Sequence, residues 1–416
     1  MTAGQAVAII GGGIVGITAG IELLRAGFAV TMYDRDAPGQ HASRWNSGVF
    51  STSSLVPLGN PNIFAAIPRL LLRRVPGFRL DPAAMHRSLP WAVRFLAASR
   101  AARYEKTVAA LHGLICLSRP AHEALLAEAG RSDLMLRHGW LFAFENEAAL
   151  AGSALLRRAM NEHGVGFEVL DGGALLDLEP HLDARFTRGL WLKESASATD
   201  PHLVVQAYLD LFLRRGGRVE KADIRALVRD KDRTGFVDAA GNRTTPDHVV
   251  VAAGPWSHEL LRTLGLALPM IAERGYMRRF RWQGNKRLLR PVFDVAGGLV
   301  ASPRPDGLQI STGTELTTVG AQGSDVQVRQ AEARAAALFP IDAPLGEFTS
   351  ANRPSLPDGR PAIGPATNAP GLWLACGHQH IGFNTSAGTA RLLAAQVAGT
   401  APDPVAQAFL PARFGL

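Results

Sequence analysis

A cluster of glycines near the start of the chain has the spacing of a phosphate-binding loop. In Gly11-Gly12-Gly13-Ile14-Val15-Gly16 the first glycine allows a tight turn, and Gly13 lets the backbone approach a pyrophosphate. Gly16 lets the following helix lie close to its strand, and Asp34 is placed to accept hydrogen bonds from a ribose diol. This combination predicts a dinucleotide site.

The segments around these glycines are the ones that such a site requires. The uninterrupted apolar run Ala6–Ile10 predicts a strand buried on both faces, and the helical pattern that follows the glycines stops at Gly27. A second apolar strand, 28–33, leads to Asp34. The helix N-terminus offers unpaired N–H groups and a partial positive charge to phosphates. The motif by itself does not distinguish NAD from FAD.

A second loop with polar side chains lies near the end of the sequence. Gly377-His378-Gln379-His380-Ile381-Gly382 follows a predicted strand at 372–375 and precedes a predicted helix at 385–398. The two histidines have no carboxylate or cysteine close by in the sequence, so we expect no metal ion there. Cys116 and Cys376, the only cysteines, cannot form a disulfide framework, which fits a reducing compartment.

Length and composition indicate a globular protein of two or three folding units. The chain has 416 residues, of which 47% are hydrophobic and 19% are charged, so a disordered or collagen-like protein is excluded. The formal net charge is +8, but the arginines that carry most of the positive charge are scattered. No zinc-finger spacing or RNA-binding aromatic signature accompanies them, so we expect no nucleic-acid partner.

One basic and apolar segment, 63–80, permits two interpretations. It mixes leucines with Arg69, Arg73, Arg74 and Arg79, and it could lie on an anionic membrane surface or pack its apolar side into the core. We expect no targeting signal at the N-terminus, because the first apolar run leads directly into the glycine loop. We therefore expect a cytoplasmic protein, with the inner face of the cell membrane as the alternative location.

The remaining pattern alternates between strands and helices without a repeat or linker. Strands are predicted at Trp140–Phe144, 219–228, 248–253 and several places in 270–314, with helices at 203–215 and 332–339. The predicted fold class is α/β, with a Rossmann-like nucleotide domain interleaved with an α+β substrate domain on a mixed or antiparallel sheet. The expected boundaries are 1–50, 200–260 and 345–416 for the nucleotide domain, and 51–199 and 261–344 for the substrate domain.

Several ordered motifs together resemble the D-amino-acid oxidase superfamily of FAD flavoproteins, and within it the bacterial D-amino-acid dehydrogenases most closely. The resemblance covers nearly the whole chain. Its motifs are the glycine loop with Asp34, Ala42-Ser43 with Asn46-Ser47-Gly48, Val250 to Ser257, Arg274-Gly275-Tyr276, Arg353-Pro354 with Pro357 to Pro361 and Gly364, and Gly377-His378 with Gly382.

The resemblance implies FAD rather than NAD as the cofactor. Late segments must then return to the nucleotide fold, with the start of the last helix at the pyrimidine edge of the flavin. The implied cofactor-binding residues are Gly11, Gly13, Ile14, Val15, Gly16, Asp34, Arg35, Ala42, Ser43, Asn46, Ser47, Gly48, Ile224, Ala253, Gly254, Trp256, Gly377, His378, His380, Ile381 and Gly382.

The implied reaction is the oxidative deamination of a D-amino acid. A hydride passes from the α-carbon to the flavin, and water hydrolyses the imino acid to a 2-oxo acid and ammonia. Arg353 is the expected clamp for the substrate carboxylate, with a structural ion pair as the alternative. Tyr276 is expected to donate a hydrogen bond in the pocket or to be a strand aromatic. Arg304 lies where the oxidases carry paired tyrosines, and it is a third candidate.

The electron acceptor and the substrate class leave alternatives open. Sarcosine-oxidase relatives carry an oxygen-activating lysine in a stretch that resembles Gly307-Leu308-Gln309-Ile310, where this chain has Gln309. A quinone or carrier protein is therefore expected to accept the electrons instead of O2. Oxidation of a secondary or cyclic amino acid, of the D-proline, hydroxyproline or sarcosine type, is the alternative within the same chemistry. A flavoprotein linked to tRNA modification is an alternative of another class.

Overall fold

The computed structural model describes residues 4–71, 77–81, 85–401 and 403–416. The strands in these ranges are β1 (Ala6–Ile10), β2 (Ala29–Asp34), β3 (Val49–Phe50), β4 (Phe78–Leu80), β5 (Met135–Leu136), β6 (Trp140–Phe144), β7 (Glu168–Asp171), β8 (Arg188–Leu192), β9 (Ala196–Ala198), β10 (Arg218–Lys221), β11 (Ile224–Asp230), β12 (Arg233–Asp238), β13 (Arg243–Thr244), β14 (His248–Val251), β15 (Ile271–Trp282), β16 (Val292–Asp294), β17 (Leu299–Arg304), β18 (Gly307–Thr317), β19 (Ile341–Ser355), β20 (Ala362–Pro365) and β21 (Leu372–Cys376). The helices are α1 (Ile14–Arg25), α2 (Ile63–Leu71), α3 (Met85–Ala98), α4 (Ala101–Glu128), α5 (Glu147–Ala151), α6 (Ala154–Glu162), α7 (Gly172–Leu178), α8 (Pro201–Arg214), α9 (Ser257–Arg262), α10 (Val326–Leu338) and α11 (Gly382–Val397).

The first large sheet has the strand order β10-β2-β1-β14-β21-β20, and its neighbours are parallel except at the β20–β21 pair. Its central strands are apolar on both faces because each face is covered. Ile9 and Val250 pack towards α1, α8 and α11, whereas Ala8 and Val249 pack towards β11, β12 and α9. The strands come from distant parts of the sequence, so segments far apart along the chain meet at one sheet edge.

The second large sheet has the order β19-β15-β18-β17-β16-β6-β8-β7, and β4 pairs with β18 outside this path. Most of its neighbours are antiparallel, whereas the β16–β6 and β18–β4 pairs are parallel. The mixed sheets confirm the predicted α/β fold class. The expected domain boundary at residue 345 falls inside β19, which lies wholly in this second sheet.

Three predicted segments differ from the structure in detail. The stretch predicted as one strand at 219–228 forms two, β10 and β11, which belong to different sheets. The helix predicted at 332–339 begins six residues earlier, at Val326. In the basic segment 63–80, α2 ends at Leu71 and β4 covers 78–80, while residues 72–76 lie outside the described ranges. No helix in the described part of the chain combines the length and apolar character of a membrane span.

Candidate active site

A cavity of about 1230 Å³ is lined by residues from both large sheets and from the N-termini of α1 and α11. This volume exceeds the roughly 300–1,000 Å³ of an ordinary small-molecule pocket, so a large cofactor and a substrate have room together. All but three of the residues expected at the cofactor line the cavity. The exceptions are Gly16, Gly48 and Gly377.

The glycine loop has the close approaches that its spacing predicts. Gly11 has a φ of +112°, and a Cβ there would lie 2.4 Å from the carbonyl oxygen of Ala252. Gly16 is needed for packing rather than for lining, because its Cβ would lie 2.0 Å from the Gly11 carbonyl oxygen. At Gly13 a Cβ would meet only the Ser43 hydroxyl, at 3.4 Å, so this position is open towards the cavity.

The end of the cavity beside Asp34 has charged and aromatic walls. Asp34 accepts hydrogen bonds from the N–H groups of Gly12, at 2.6 Å, and Asp36, at 3.0 Å. The guanidinium carbon of Arg35 lies 4.0 Å from the centre of the Trp256 ring. Ile224, Ala253 and Gly254 also line the cavity. The carboxylate and the stacked pair can contact the ribose and the base of a nucleotide.

The loop from Ala42 to Gly48 is tied to the first helix at one end. The Ser43 hydroxyl accepts the N–H of Ile14, at 3.0 Å, and the Asn46 side chain accepts the N–H of Gly48, at 2.8 Å. Gly48 has a φ of +73° and packs against Pro201, which explains why it does not line the cavity. Asn46 and Ser47 do line it.

Arg304 supports this loop from behind and is not a cavity residue, contrary to its expected place at the substrate. Its side chain is buried and donates hydrogen bonds to the carbonyl oxygens of Ser47, at 2.7 Å, and Ala198, at 3.0 Å, and to the Gln309 side chain. Burial lowers the pKa of Arg304 to about 10, so it remains charged at neutral pH. Gln309 in turn donates to the Asn46 carbonyl, and its buried side chain does not line the cavity either.

The late histidine loop forms another part of the wall. The Nε2 atom of His378 lies 3.0 Å from the Thr389 hydroxyl, and burial lowers the pKa of His378 to about 3, so the ring is neutral. The His380 ring lines the cavity and has no hydrogen-bond partner among the described residues. Gly377 is a packing residue, because a Cβ there would lie 2.3 Å from Leu356. The metal-free expectation for these histidines stays a prediction.

The last helix begins three residues earlier than predicted, at Gly382 instead of residue 385. The first backbone hydrogen bond of this helix runs from the Thr385 N–H to the Ile381 carbonyl. The N–H groups of residues 382–384 therefore have no partner within the helix. Gly382, Phe383 and Asn384 line the cavity, which places the positive end of the helix at its wall.

Arg353 lines the cavity and forms an ion pair with the buried Glu273. Its Nη1 atom donates to Glu273 and to the Gly313 carbonyl oxygen, each at 2.9 Å. Its Nε and Nη2 atoms make no hydrogen bond to another described residue, and its side chain is 24% exposed. Nε and Nη2 are the adjacent donors that bind a carboxylate side by side. The structure therefore contains the ion pair that was the alternative, and the carboxylate clamp stays a prediction, because the pair with Glu273 occupies only part of the guanidinium.

Glu273 was not predicted from the sequence, although it is the charged partner that fixes Arg353. It is fully buried on β15, and it also accepts a hydrogen bond from the Ser355 hydroxyl, at 2.8 Å. Burial raises the pKa of Glu273, but the charge of Arg353 and the hydrogen bonds from Ser355 and Arg353 hold it below its ordinary value. The carboxylate is therefore charged at neutral pH. Glu273 is the one acidic residue of β15, and this was the available signal.

Tyr276 lines the cavity with its ring, but its hydroxyl is already paired. It donates to the buried Glu315 and accepts the N–H of Ser324, at 2.8 Å. Burial and then the Glu315 bond raise the pKa of this tyrosine. The hydroxyl is thus part of an internal network, which differs from the expected hydrogen bond to a substrate.

The chain is similar to known proteins over nearly its whole length. Residues 6–396 match the family model described as "DAO: FAD dependent oxidoreductase". The chain is 30% identical to a D-amino-acid oxidase of Bradyrhizobium diazoefficiens, with all of both chains covered. It is also 30% identical to a D-amino acid dehydrogenase of Methylobacterium nodulans, over 98% of this chain and 99% of the relative. Glycine oxidase from Bacillus cereus shares the fold, with a TM-score of 0.73, 16% identity and 98% of each chain covered.

The residues around the cavity fit FAD, the cofactor of the matched family. The open position at Gly13 gives a pyrophosphate access to the N–H groups of the first turn of α1, where Val15 and Gly16 precede the first intrahelical bond. Asp34 lines the same cavity with a carboxylate that can accept hydrogen bonds from a ribose, and the N-terminus of α11 forms another part of the wall. Two helix N-termini on one cavity suit a ligand that carries phosphates and a ring system that becomes anionic on reduction.

Proposed function

Because the chain belongs to the DAO family of FAD-dependent oxidoreductases, we propose that it oxidises D-amino acids to 2-oxo acids and ammonia and passes the electrons to a quinone or carrier protein. The amino-acid oxidoreductase activity follows from the family and its curated relatives. The D-configuration, the deamination and the acceptor are our proposals.

One observation carries the proposal for the substrate. Arg353 lines the cavity, its Nε and Nη2 atoms make no hydrogen bond to another described residue, and its Nη1 atom is held by Glu273 and Gly313. A guanidinium that is already fixed in place loses little freedom when it binds a carboxylate. Arg353 therefore binds and orients an amino acid by its carboxylate, while Glu273 acts as a positioning residue that prevents rotation of the guanidinium.

FAD, when bound, accepts the hydride equivalent from the α-carbon of the amino acid. The chain's own residues supply binding and orientation, which account for most of the catalysis when substrate and acceptor are held in a near-attack arrangement. The N-terminus of α11 offers a partial positive charge to the cofactor. Loss of solvation lowers the pKa of His380 below its ordinary value, against the charge of Glu273, and its ring, exposed on the cavity wall, can accept a hydrogen bond from the substrate amine.

The proposal for the acceptor is supported by the residue type at position 309 and by the names of the relatives. Gln309 lies in the stretch where oxygen-activating relatives have a lysine, and a curated relative is named a dehydrogenase while another is named an oxidase. Gln309 contacts the Asn46 carbonyl rather than the cavity, so its influence on the acceptor would act through this loop. Quinone or dye reduction is expected to exceed peroxide formation.

A quinone acceptor would be reached at a membrane, so we also propose that the protein contacts a membrane surface peripherally. Exposed apolar residues on α2 and α3, Phe64 at 44%, Leu89 at 63% and Val93 at 61%, lie in a region that also carries the exposed Arg94. Apolar and basic side chains together favour the interface of an anionic bilayer. After sedimentation with vesicles of anionic lipid, the wild type should be found in the pellet and a Leu89→Glu/Val93→Glu variant in the supernatant. Equal release of both proteins would contradict this contact.

The decisive experiment is anaerobic bleaching of the FAD-loaded enzyme with a panel of D- and L-amino acids, glycine and cyclic imino acids. We expect bleaching by D-amino acids and a KM increase of at least about 100-fold in Arg353→Ala, because a charged hydrogen-bonded pair is lost. Arg329→Ala removes an exposed arginine of α10 and serves as the control. Exclusive bleaching by cyclic imino acids or by L-amino acids would contradict the proposed substrate, and an unchanged KM in Arg353→Ala would remove this residue from the site.

A further inference from the structure

An apolar part of the cavity lies on the α2 and α3 side of the Arg353 site. It is formed by half-buried residues of α2, β4 and α3, by the buried Trp91, and by Leu316 of β18. We call it the apolar lobe, and its residues are Ile63, Ile67, Phe78, Leu80, Trp91, Phe95 and Leu316. Trp91 and Phe95 stack with ring centres 4.8 Å apart, which gives this lobe a rigid aromatic wall.

A chain of three hydrogen bonds connects the apolar lobe to Arg353. The indole N–H of Trp91 donates to the Ser355 carbonyl, at 3.0 Å, and the Ser355 hydroxyl donates to Glu273, at 2.8 Å. Glu273 in turn accepts from Arg353, at 2.9 Å. A substrate held at Arg353 is therefore beside this wall.

The strand pairing gives a second connection on the other side of the clamp. Arg353 donates to the Gly313 carbonyl, and the next residue, Thr314, pairs with Phe78 of β4. Leu316 pairs with Leu80 two positions further along the same strands. The apolar surface thus begins one residue from the atom that fixes the guanidinium.

Charged groups are confined to other places on the described cavity wall. Beside the apolar lobe, the charged lining residues are Glu273 and Arg353, which pair with each other. The other charged lining residues belong to the end of the cavity beside Asp34, where Trp256 and Ile224 also line the wall. They are Asp34, Arg35, Asp223, Arg225 and Glu259. A charged substrate side chain would have no described counter-ion in the lobe and would be costly to bury there.

We propose that the amino acid oxidised at this site carries a bulky apolar side chain, aromatic or branched aliphatic, and that the apolar lobe selects it. This inference rests on the proposed function and adds the substrate class to it. Burial of the side chain against Phe95 and Leu316 provides the selectivity, because discrimination in an apolar pocket grows by about 10-fold or more per methylene. Small or charged amino acids would be held by Arg353 alone.

The test compares flavin reduction by glycine with that by alanine, leucine, phenylalanine and glutamate. Each of the four chiral amino acids is used as the enantiomer that bleaches the holoenzyme. We expect kcat/KM for phenylalanine or leucine to exceed that for glycine by at least about 100-fold in the wild type. Phe95→Ala should lower this ratio about 10-fold or more through KM. Leu213→Ala is the control, because Leu213 is an exposed apolar residue of α8 that does not line the cavity.

A pocket-filling variant gives the opposite perturbation. Ala92 lines the cavity on α3, so Ala92→Phe should exclude phenylalanine while leaving glycine turnover nearly unchanged. Similar kcat/KM values for glycine and phenylalanine in the wild type, or equal losses for both substrates in Phe95→Ala and Ala92→Phe, would overturn the inference. Failure of every amino acid to bleach the flavin would instead overturn the proposed function.

Discussion

The guanidinium of Arg353 lies against the Cα atom of Gly275. A Cβ on Gly275 would be 2.1 Å from Nη2 and 2.5 Å from Cζ, so only glycine leaves space for the arginine in its present position. Gly275 and Arg353 belong to the neighbouring strands β15 and β19. The absence of one methyl group on one strand therefore sets the direction of the carboxylate-binding donors on the other.

Gly275→Ala should raise the substrate KM by at least about 10-fold, because the new methyl group displaces the guanidinium and misaligns a charge-assisted hydrogen bond. FAD content should be unchanged, since Gly275 belongs to β15 of the second large sheet, whereas the glycine loop follows β1 of the first. Steady-state kinetics with the best substrate measure the effect. The control is Gly166→Ala, where a Cβ would approach only Glu194, at 3.8 Å. An unchanged KM in Gly275→Ala would contradict the proposed clamp.

Tyr276→Phe should lower the free energy of unfolding by about 1–3 kcal/mol, because Glu315 and the Ser324 N–H each lose a buried partner. The KM should stay within about twofold, since the hydroxyl is engaged inside the protein. Urea unfolding and kinetics measure the two effects. Tyr33→Phe is a suitable control, because the Tyr33 hydroxyl has no hydrogen-bond partner among the described residues. A large KM change in Tyr276→Phe would restore the expectation that this tyrosine contacts the substrate.

Arg304→Met should accelerate FAD dissociation, because the Ala198 carbonyl loses the Arg304 donor, the Ser47 carbonyl keeps only the Ser302 hydroxyl, and the loop at 46–48 loosens. Loss of a buried hydrogen bond to a charged group costs roughly 1–3 kcal/mol. With FAD in excess, the substrate KM should match that of the wild type. Flavin fluorescence after dilution gives the dissociation rate, and Arg281→Met, an exposed change on β15, provides the reference. A raised KM in FAD-saturated Arg304→Met would place Arg304 at the substrate after all.

The stability of the protein should depend on pH through Glu179. Burial raises the pKa of this carboxyl from 4.5 to about 7, against the Leu289 N–H bond and the charge of Arg290. The folded protein then holds its proton to higher pH than the unfolded chain does. The free energy of unfolding should therefore fall as pH rises from 4.5 to about 7 and level off above.

Glu179→Gln should remove this decrease, because the amide does not titrate. Urea midpoints measured at several pH values across that interval give the slope in both proteins, and Glu162→Gln, at an exposed position of α6, is the control. The same slope in the wild type and in Glu179→Gln would assign the pH dependence to other groups.

The sequence predicted elements best where the signal was local. The strand at Ala6–Ile10 and the strand at Trp140–Phe144 have the predicted bounds, because a continuous apolar run specifies a buried strand without knowledge of its neighbours. The split of 219–228 into β10 and β11 was missed, since Ala222-Asp223 contains neither glycine nor proline to mark the change of sheet.

The glycine spacing, the following acid and the ordered motifs determined the nucleotide site and the family from the sequence alone, because a phosphate-binding turn is built from consecutive residues. Only the tertiary structure decided which side chains face the cavity. Arg353 and Glu273 are 80 residues apart, and Arg304 and Ser47 are 257 apart. Whether an arginine contacts a substrate or supports a loop depends on partners that the chain brings together only by folding, so spacing along the sequence cannot distinguish the two roles.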